Sequence, residues 1–148
     1  MTITVEIVSA SLRDLPAVWA LEHACFGPDA WSLVDIFFAL ASPTVRLKAV
    51  CGGRLVGFVM GDPHPSRGFA WIATLGVHPD FQRRGIGARL LAATETRLTT
   101  PRLKLTVRRS NAAAIALYRK FGYEPVSVLN RYYAKGEAGL LMEKQHRG

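Results

Sequence analysis

The side chains best suited to chemistry lie between Thr74 and Tyr123. An apolar run leads into Gln82, Arg83, Arg84, Gly85, Ile86 and Gly87, and a helical pattern opens there. A helix N-terminus offers unpaired N–H groups and the positive end of a dipole, so it suits a phosphate. Gly85 and Gly87 lack Cβ atoms, which lets a pyrophosphate lie against the backbone. Arg83 and Arg84 add positive charge beside it. Further on, Asn111 and Tyr118 are separated by about two helical turns, which puts an amide and a phenol on one helix face.

Two familiar phosphate-binding patterns do not fit this turn. The P-loop needs Lys followed by Ser or Thr after its glycines, and neither follows here. The dinucleotide fingerprint needs a third glycine where Leu90 stands and an acidic residue about 20 positions on, where Arg102 to Lys104 lie.

The pattern that remains is Q-R-R-G-I-G-A after V-H-P-D-F. It resembles the acetyl-CoA signature of the GNAT N-acetyltransferases. The later stretch V-R-R-S-N-A-A-A-I-A-L-Y-R-K-F-G-Y resembles that family's second motif, in the family's order and spacing. Within the family, the likeness is strongest to the ribosomal-protein-alanine acetyltransferase branch. Phe26 to Ser32 (F-G-P-D-A-W-S) resembles the F-P-W-S-like loop of that branch, with extra residues between Phe26 and Trp31.

The resemblance implies acetyl-CoA as cosubstrate and direct attack by an amine in a ternary complex. It assigns donor binding to the backbone of Leu75, Gly76 and Val77, to Arg83, Arg84, Gly85, Ile86, Gly87 and Ala88, and to Asn111. Leu75 and Val77 also read as core strand residues, and Asn111 also reads as a helix N-cap. The resemblance makes Tyr118 the acid that protonates the leaving thiolate; the other reading is a core aromatic. A thiol pKa of ~8.5 and a tyrosine pKa of ~10 make that transfer possible but weakly driven. Trp31, Tyr132 and Tyr133 are expected beside the acceptor. Aromatic pairs also favour strands in their own right, and Trp31 could equally fill core.

The general base is where the resemblance breaks. Enzymes of that branch often carry Glu five residues before the asparagine, and here the position is Thr106. A threonine hydroxyl cannot take a proton from an ammonium at neutral pH. His78, Glu137 and a backbone-held water stay open as substitutes. The gap bears on the acceptor. An α-amine has a pKa of ~7.8 and a lysine side chain ~10.4, so near neutral pH their uncharged fractions differ by roughly two to three hundredfold, about 3 kcal/mol. An enzyme without a strong base loses less on an α-amine. The expected acceptor is therefore a protein N-terminus, and the resemblance to that branch points to that of a ribosomal protein. A small amine or antibiotic is the second reading. A CoA-binding or nucleic-acid-binding module is the third.

These residues need a scaffold. The chain has 148 residues, the size of one domain, with 49% hydrophobic and 20% charged residues. No apolar run approaches the ~20 residues of a membrane span. Met1 to Glu6 has neither a basic region nor an apolar stretch, so no signal peptide is expected. Cys25 and Cys51 form no ligand or redox pattern, which points to reduced thiols, no metal and a cytoplasmic setting. The net charge of +8 is spread along the chain, not gathered into a tail, and a phosphate-rich ligand would use part of it. Monomer and homodimer both stay open.

The hydrophobic pattern positions the motifs. Thr2–Ser9 alternates as a strand. Ser11 and Asp14 open a helix whose apolar face, Leu15, Val18 and Trp19, is interrupted by Glu22. A breaker at Cys25 to Pro28 precedes a short helix, started by Ser32 and Asp35 and continued by Ile36, Phe37 and Leu40 to Ser42-Pro43. Val45–Cys51 and Leu55–Gly61 form a hairpin about Gly52-Gly53, and Asp62–Gly68 reads as a loop. Phe69–Val77 is a central strand. The helix opened by Gly85 packs through Ile86, Leu90, Leu91, Thr94 and Leu98. A strand through Leu103, Leu105 and Val107 and a helix to Phe121 follow. Strands near Val126–Tyr133 and Gly139–Glu143 close the chain. The order β-α-α-β-β-β-α-β-α-β-β predicts an α/β fold of the GNAT type: about seven strands in a mixed, mostly antiparallel sheet, with four helices.

Overall fold

The structure, a computed structural model, describes residues 4–147. It contains β1 (Val5–Ser9), α1 (Leu15–Phe26), α2 (Leu33–Ala41), β2 (Val45–Cys51), β3 (Arg54–His64), β4 (Phe69–Val77), α3 (Ile86–Arg97), β5 (Arg102–Arg108), α4 (Ala112–Lys120), β6 (Glu124–Leu129) and β7 (Gly139–Gln145). Thr2 and Ile3, expected to begin the first strand, lie outside the described residues.

The strands form one sheet in the order β1-β2-β3-β4-β5-β7-β6. All neighbours are antiparallel except β4 and β5. Those two pair only through Phe69–Trp71 against Arg102–Lys104, and beyond Trp71 they part. On their outer sides the same strands stay paired. β3 follows β4 to Val77, and β7 follows β5 to Arg108. The sheet is therefore split in its middle, and the split runs toward the C-terminal ends of β4 and β5.

A bulge lies at the start of the split. Met60 pairs with Thr74 and Gly61 with Ile72, leaving Ala73 as an extra residue on β4. An extra residue shifts the two-residue alternation by one. Ala70 and Ile72 share a core with α3; past the bulge, Leu75 and Val77 join that core, while Ala73 packs on the α1 side. Thr74 turns toward α1 as well.

One core lies on each face. Ile86, Leu90 and Leu91 of α3 and Leu98, which caps its C-terminus, pack on β2, β3 and β5 together with Tyr118 of α4. Val18 and Leu21 of α1 and Ile36 and Leu40 of α2 pack on Phe58 and Met60. Burying a side chain of this size stabilises the fold by roughly 1.5–3 kcal/mol. The helix starts follow the caps read from sequence. The Ser32 hydroxyl accepts the Asp35 N–H at 3.1 Å, and Asp14 accepts the Ser11 N–H at 2.9 Å. Gly52 and Gly53 carry φ of +56° and +79°, the two left-handed residues of a tight hairpin turn.

Several expectations are corrected. β3 runs on to His64, because Asp62 to His64 pair with the first residues of β4 and do not form a loop. β6 ends at Leu129, so Asn130 to Tyr133 leave the sheet. Trp19 is exposed and stacks on His23, with ring centroids 4.3 Å apart, while Leu21 takes the core position. A 12-residue helix with apolar residues nearly all round gave the sequence pattern no single face to choose.

Candidate active site

The split between β4 and β5 opens into a cavity of about 750 Å³. Its walls come from α1 and the loop after it (Glu22, Cys25, Phe26, Asp29, Trp31), from β3 and β4 (Met60, Asp62, Trp71 to Leu75), from β5 and the residue capping α4 (Thr106, Arg108, Asn111), and from the turn after β6 (Tyr132, Tyr133, Ala134). Trp31, Tyr132 and Tyr133, expected beside the acceptor, all line it. Leu75 and Asn111, expected on the donor side, line it too. The two tyrosine rings meet edge to face at 4.9 Å, and the Tyr133 hydroxyl donates to Thr106 Oγ1 at 3.1 Å. Burial raises the Tyr133 pKa.

The glycine turn continues directly from the split. β4 ends at Val77, and a short 3-10 turn (Pro79–Phe81) leads to Gln82. The Gln82 amide donates to the Val77 carbonyl at 3.1 Å and ties the turn to the strand end. Arg83 and Gly85 sit at φ of +64° and +77°, which brings the chain round to start α3 at Ile86. The first N–H groups of α3 are without intrahelical partners by geometry. A Cβ placed on Gly85 meets nothing within 4 Å, so the space above the turn is open. The Arg84 guanidinium stacks on Phe81, 5.3 Å from the ring centroid, and stays beside that space. An open glycine turn at a helix N-terminus, next to a strand edge without a sheet partner, fits an extended, phosphate-bearing donor.

Asn111 caps α4; its side-chain oxygen accepts the Ala114 N–H at 3.2 Å. Its N-cap reading holds, and the residue also borders the cavity. Tyr118 is buried, with its ring 5.8 Å from that of Tyr123. It is not among the residues lining the cavity. Burial pushes its hydroxyl pKa well up, and Tyr133 adds to the shift.

The sequence-based search for the base missed the residues that organise the cavity. Glu22 is 3% exposed. Its Oε2 accepts the Thr74 hydroxyl at 2.7 Å, and its Oε1 accepts the Trp31 N–H at 3.2 Å. Burial raises its pKa, against the smaller opposing effects of Thr74, the Trp31 N–H and His23. The signal was present in the sequence, because Glu22 was the one charged residue on an apolar helix face. At the cavity mouth, Arg108 binds Asp29 through Nε and Glu137 through Nη1. Glu137 also accepts from the Ser110 hydroxyl and N–H, and Asp29 accepts the Ala134 N–H at 2.9 Å. These contacts hold the Asp29 and Glu137 carboxyls below their ordinary pKa. Glu137 is thereby committed to Arg108 and Ser110. His78 lies outside the cavity, where its Nδ1 accepts the Asp80 N–H at 3.1 Å.

A split sheet with an open glycine turn at one end and an aromatic-lined cavity at the other suits group transfer between two substrates. The acetyltransferase (GNAT) family model matches residues 15–123, and the chain belongs to that family. It is an acetyl-CoA-dependent N-acetyltransferase. The chain is 35% identical over 133 residues to the [ribosomal protein bS18]-alanine N-acetyltransferase of Salmonella typhimurium, covering 88% of this chain and 86% of that protein. It is 41% identical over 90 residues to an acetyltransferase of Pectobacterium atrosepticum, covering 59% of this chain and 62% of that protein. The crystal structure of the ribosomal-protein-S18-alanine N-acetyltransferase of Escherichia coli superposes with a TM-score of 0.86 at 28% identity, covering 98% of this chain and 96% of that one. Among the described residues, no helix is long and apolar enough to cross a membrane.

Proposed function

We propose that this chain acts as a single domain that acetylates the N-terminal α-amine of a protein, with a ribosomal protein of the alanine-terminated kind as its acceptor. The observation that carries this reading is the cavity itself. It is lined by Trp31, Tyr132 and Tyr133 and by Asp29 and Arg108, which are paired with each other. Such a groove takes an extended peptide end between aromatic walls. The alignment with the bS18-alanine enzyme across nearly the whole of both chains supports the same acceptor class.

In this reading the donor lies along the free edge of β4, against the backbone of Leu75 to Val77. Arg83, Arg84 and the N–H groups of Ile86, Gly87 and Ala88 hold its phosphates, and Asn111 borders its thioester end. The uncharged amine attacks the thioester carbonyl, the carbon–sulfur bond breaks, and the Tyr118 hydroxyl gives its proton to the departing thiolate. Burial raises its pKa, so Tyr118 carries its proton when the reaction begins; it hydrogen-bonds sulfur as charge builds, passes the proton on as the bond breaks, and is then reprotonated from solvent.

The test is CoA release from acetyl-CoA with short free-N-terminus peptides, beside N-terminally blocked lysine peptides and small polyamines. Turnover confined to free N-termini supports the reading. Equal turnover of blocked lysine peptides, or turnover of polyamines alone, overturns it.

A further inference from the structure

We propose that Glu22 is the proton acceptor for the incoming amine. The inference rests on the acceptor reading above and adds the base that the sequence lacks at Thr106.

The cavity holds few groups able to take a proton. Asp29 and Glu137 are bound to Arg108. Asp62 faces His64 Nε2 at 3.2 Å. The Cys25 thiol donates to the Val77 carbonyl at 3.3 Å, and burial with the nearby Glu22 charge lifts its pKa to about 11. Tyr132 and Tyr133 are phenols. Of the three cavity-lining carboxylates, Asp29 is held by Arg108 and Asp62 by His64, while Glu22 has no basic side chain hydrogen-bonded to it.

Its two hydrogen bonds position it without consuming it. A carboxylate has about four lone-pair sites, and Thr74 and the Trp31 N–H occupy one on each oxygen. Thr74 directly precedes Leu75 on β4, the strand along which the donor lies. The bulge at Ala73 is what turns Thr74 toward α1, so the carboxylate is fixed from the same strand that fixes the thioester. Groups facing Glu22 from the packed elements are His23 and Cys25 on its own helix, Thr74 on β4 and the Trp31 N–H after α1. Desolvation outweighs the groups that lower its pKa, and a raised carboxylate is better matched to an α-amine of pKa ~7.8 than an ordinary one.

The proton balance is simple. Glu22 takes one ammonium proton, and the neutral amine attacks. The nitrogen loses its second proton as the intermediate collapses, the thiolate gains one, and one proton leaves to solvent.

The experiment is kcat/KM against pH for acetyl transfer to a short peptide with a free N-terminal alanine, using wild type, Glu22→Gln and Thr74→Val, together with acetyl-CoA affinity and a thermal melt of each protein. Wild type should show an acid limb below the amine's own pKa of ~7.8. Glu22→Gln should lose about 100-fold at pH 7, with its acid limb moved up to the amine's pKa and the deficit shrinking above it, at unchanged acetyl-CoA affinity. Thr74→Val removes a group that lowers the Glu22 pKa and should move the limb up by less. An unmoved limb in Glu22→Gln, with full rate or with a constant loss at every pH, overturns the proposal. If Glu22→Gln melts early, the Thr74→Val limb decides instead: a shift supports the base and no shift overturns it. If wild type turns over only small amines, the acceptor reading fails, and the same limb comparison on the small amine still tests Glu22.

Discussion

The Tyr133 hydroxyl donates to Thr106 Oγ1 at 3.1 Å across the cavity. A side chain from the turn after β6 is thus tied to β5 in the cavity wall, and the pair puts no charge there.

Thr106→Val removes the hydrogen-bond acceptor while keeping the shape. The Tyr133 hydroxyl then loses its partner in a half-buried place, at a cost of about 1 kcal/mol. The expected outcome is a peptide KM raised several-fold, with acetyl-CoA affinity unchanged. Steady-state kinetics with each substrate varied in turn check it; a selective change in the acetyl-CoA KM would contradict the assignment of this wall to the acceptor.

Tyr118→Phe should lower kcat by about 100-fold with both KM values held, since general acids contribute upward of that factor. Burial raises the hydroxyl pKa, so wild type should show no basic limb from this residue below pH ~10. A basic limb at pH ~10 or lower that disappears in the Phe variant would show a tyrosine of ordinary or lowered pKa at work. A kcat within threefold of wild type would leave Tyr118 as a core aromatic.

Arg108 joins Asp29, after α1, to Glu137, before β7. Arg108→Ala should therefore loosen both walls of the cavity mouth, raising the peptide KM more than the acetyl-CoA KM. The bridge also has a pH signature. Asp29 and Glu137 have depressed folded-state pKa values, with hydrogen bonds from Arg108 and Ser110 as the leading causes. Groups shifted this way stabilise the fold above their unfolded pKa of ~4 and lose that contribution as pH falls through the folded value. The melting-temperature gap between wild type and Arg108→Ala should be constant from pH 6 to 8 and close below pH ~4. A gap independent of pH down to 3 would mean that Arg108 acts through packing alone.

The fold was legible because its signals are local. Ser32, Gly52-Gly53, Gly85 and Asn111 each mark a boundary through their own backbone needs, and all four mark it in the structure. The glycine turn before α3 was legible for the same reason. The cavity was only half legible. Trp31, Tyr132 and Tyr133 stood out by residue type, but the Glu22–Thr74 contact joins residues 52 apart in sequence, and it depends on a bulge that no periodicity announces. Arg108 and Asp29 are 79 apart, and neither has a neighbour in sequence that foretells the pairing. Trp19 misled because an apolar side chain at helical spacing reads as core whether or not the sheet reaches it.

Gly87 separates binding from stability. It lies in the first turn of α3, one residue after Ile86 opens the helix. A Cβ built there would sit 3.6 Å from Leu117 and 3.7 Å from Val77, ordinary contact distances, so the fold can accept a methyl group. Alanine is favoured over glycine in helices by up to about 1 kcal/mol. Gly87→Ala should therefore melt no lower than wild type, and the same methyl group stands among the N–H groups assigned to the donor phosphates. The expected outcome is acetyl-CoA affinity at least tenfold weaker, measured by calorimetry, with the peptide KM unchanged at saturating donor. Gly85→Ala gives the contrast. Its φ of +77° costs an alanine about 1 kcal/mol or more, so that variant should lose stability as well as affinity. Unchanged acetyl-CoA affinity in a well-folded Gly87→Ala protein would mean that the glycine serves only the turn, and the phosphates would have to be sought elsewhere along α3.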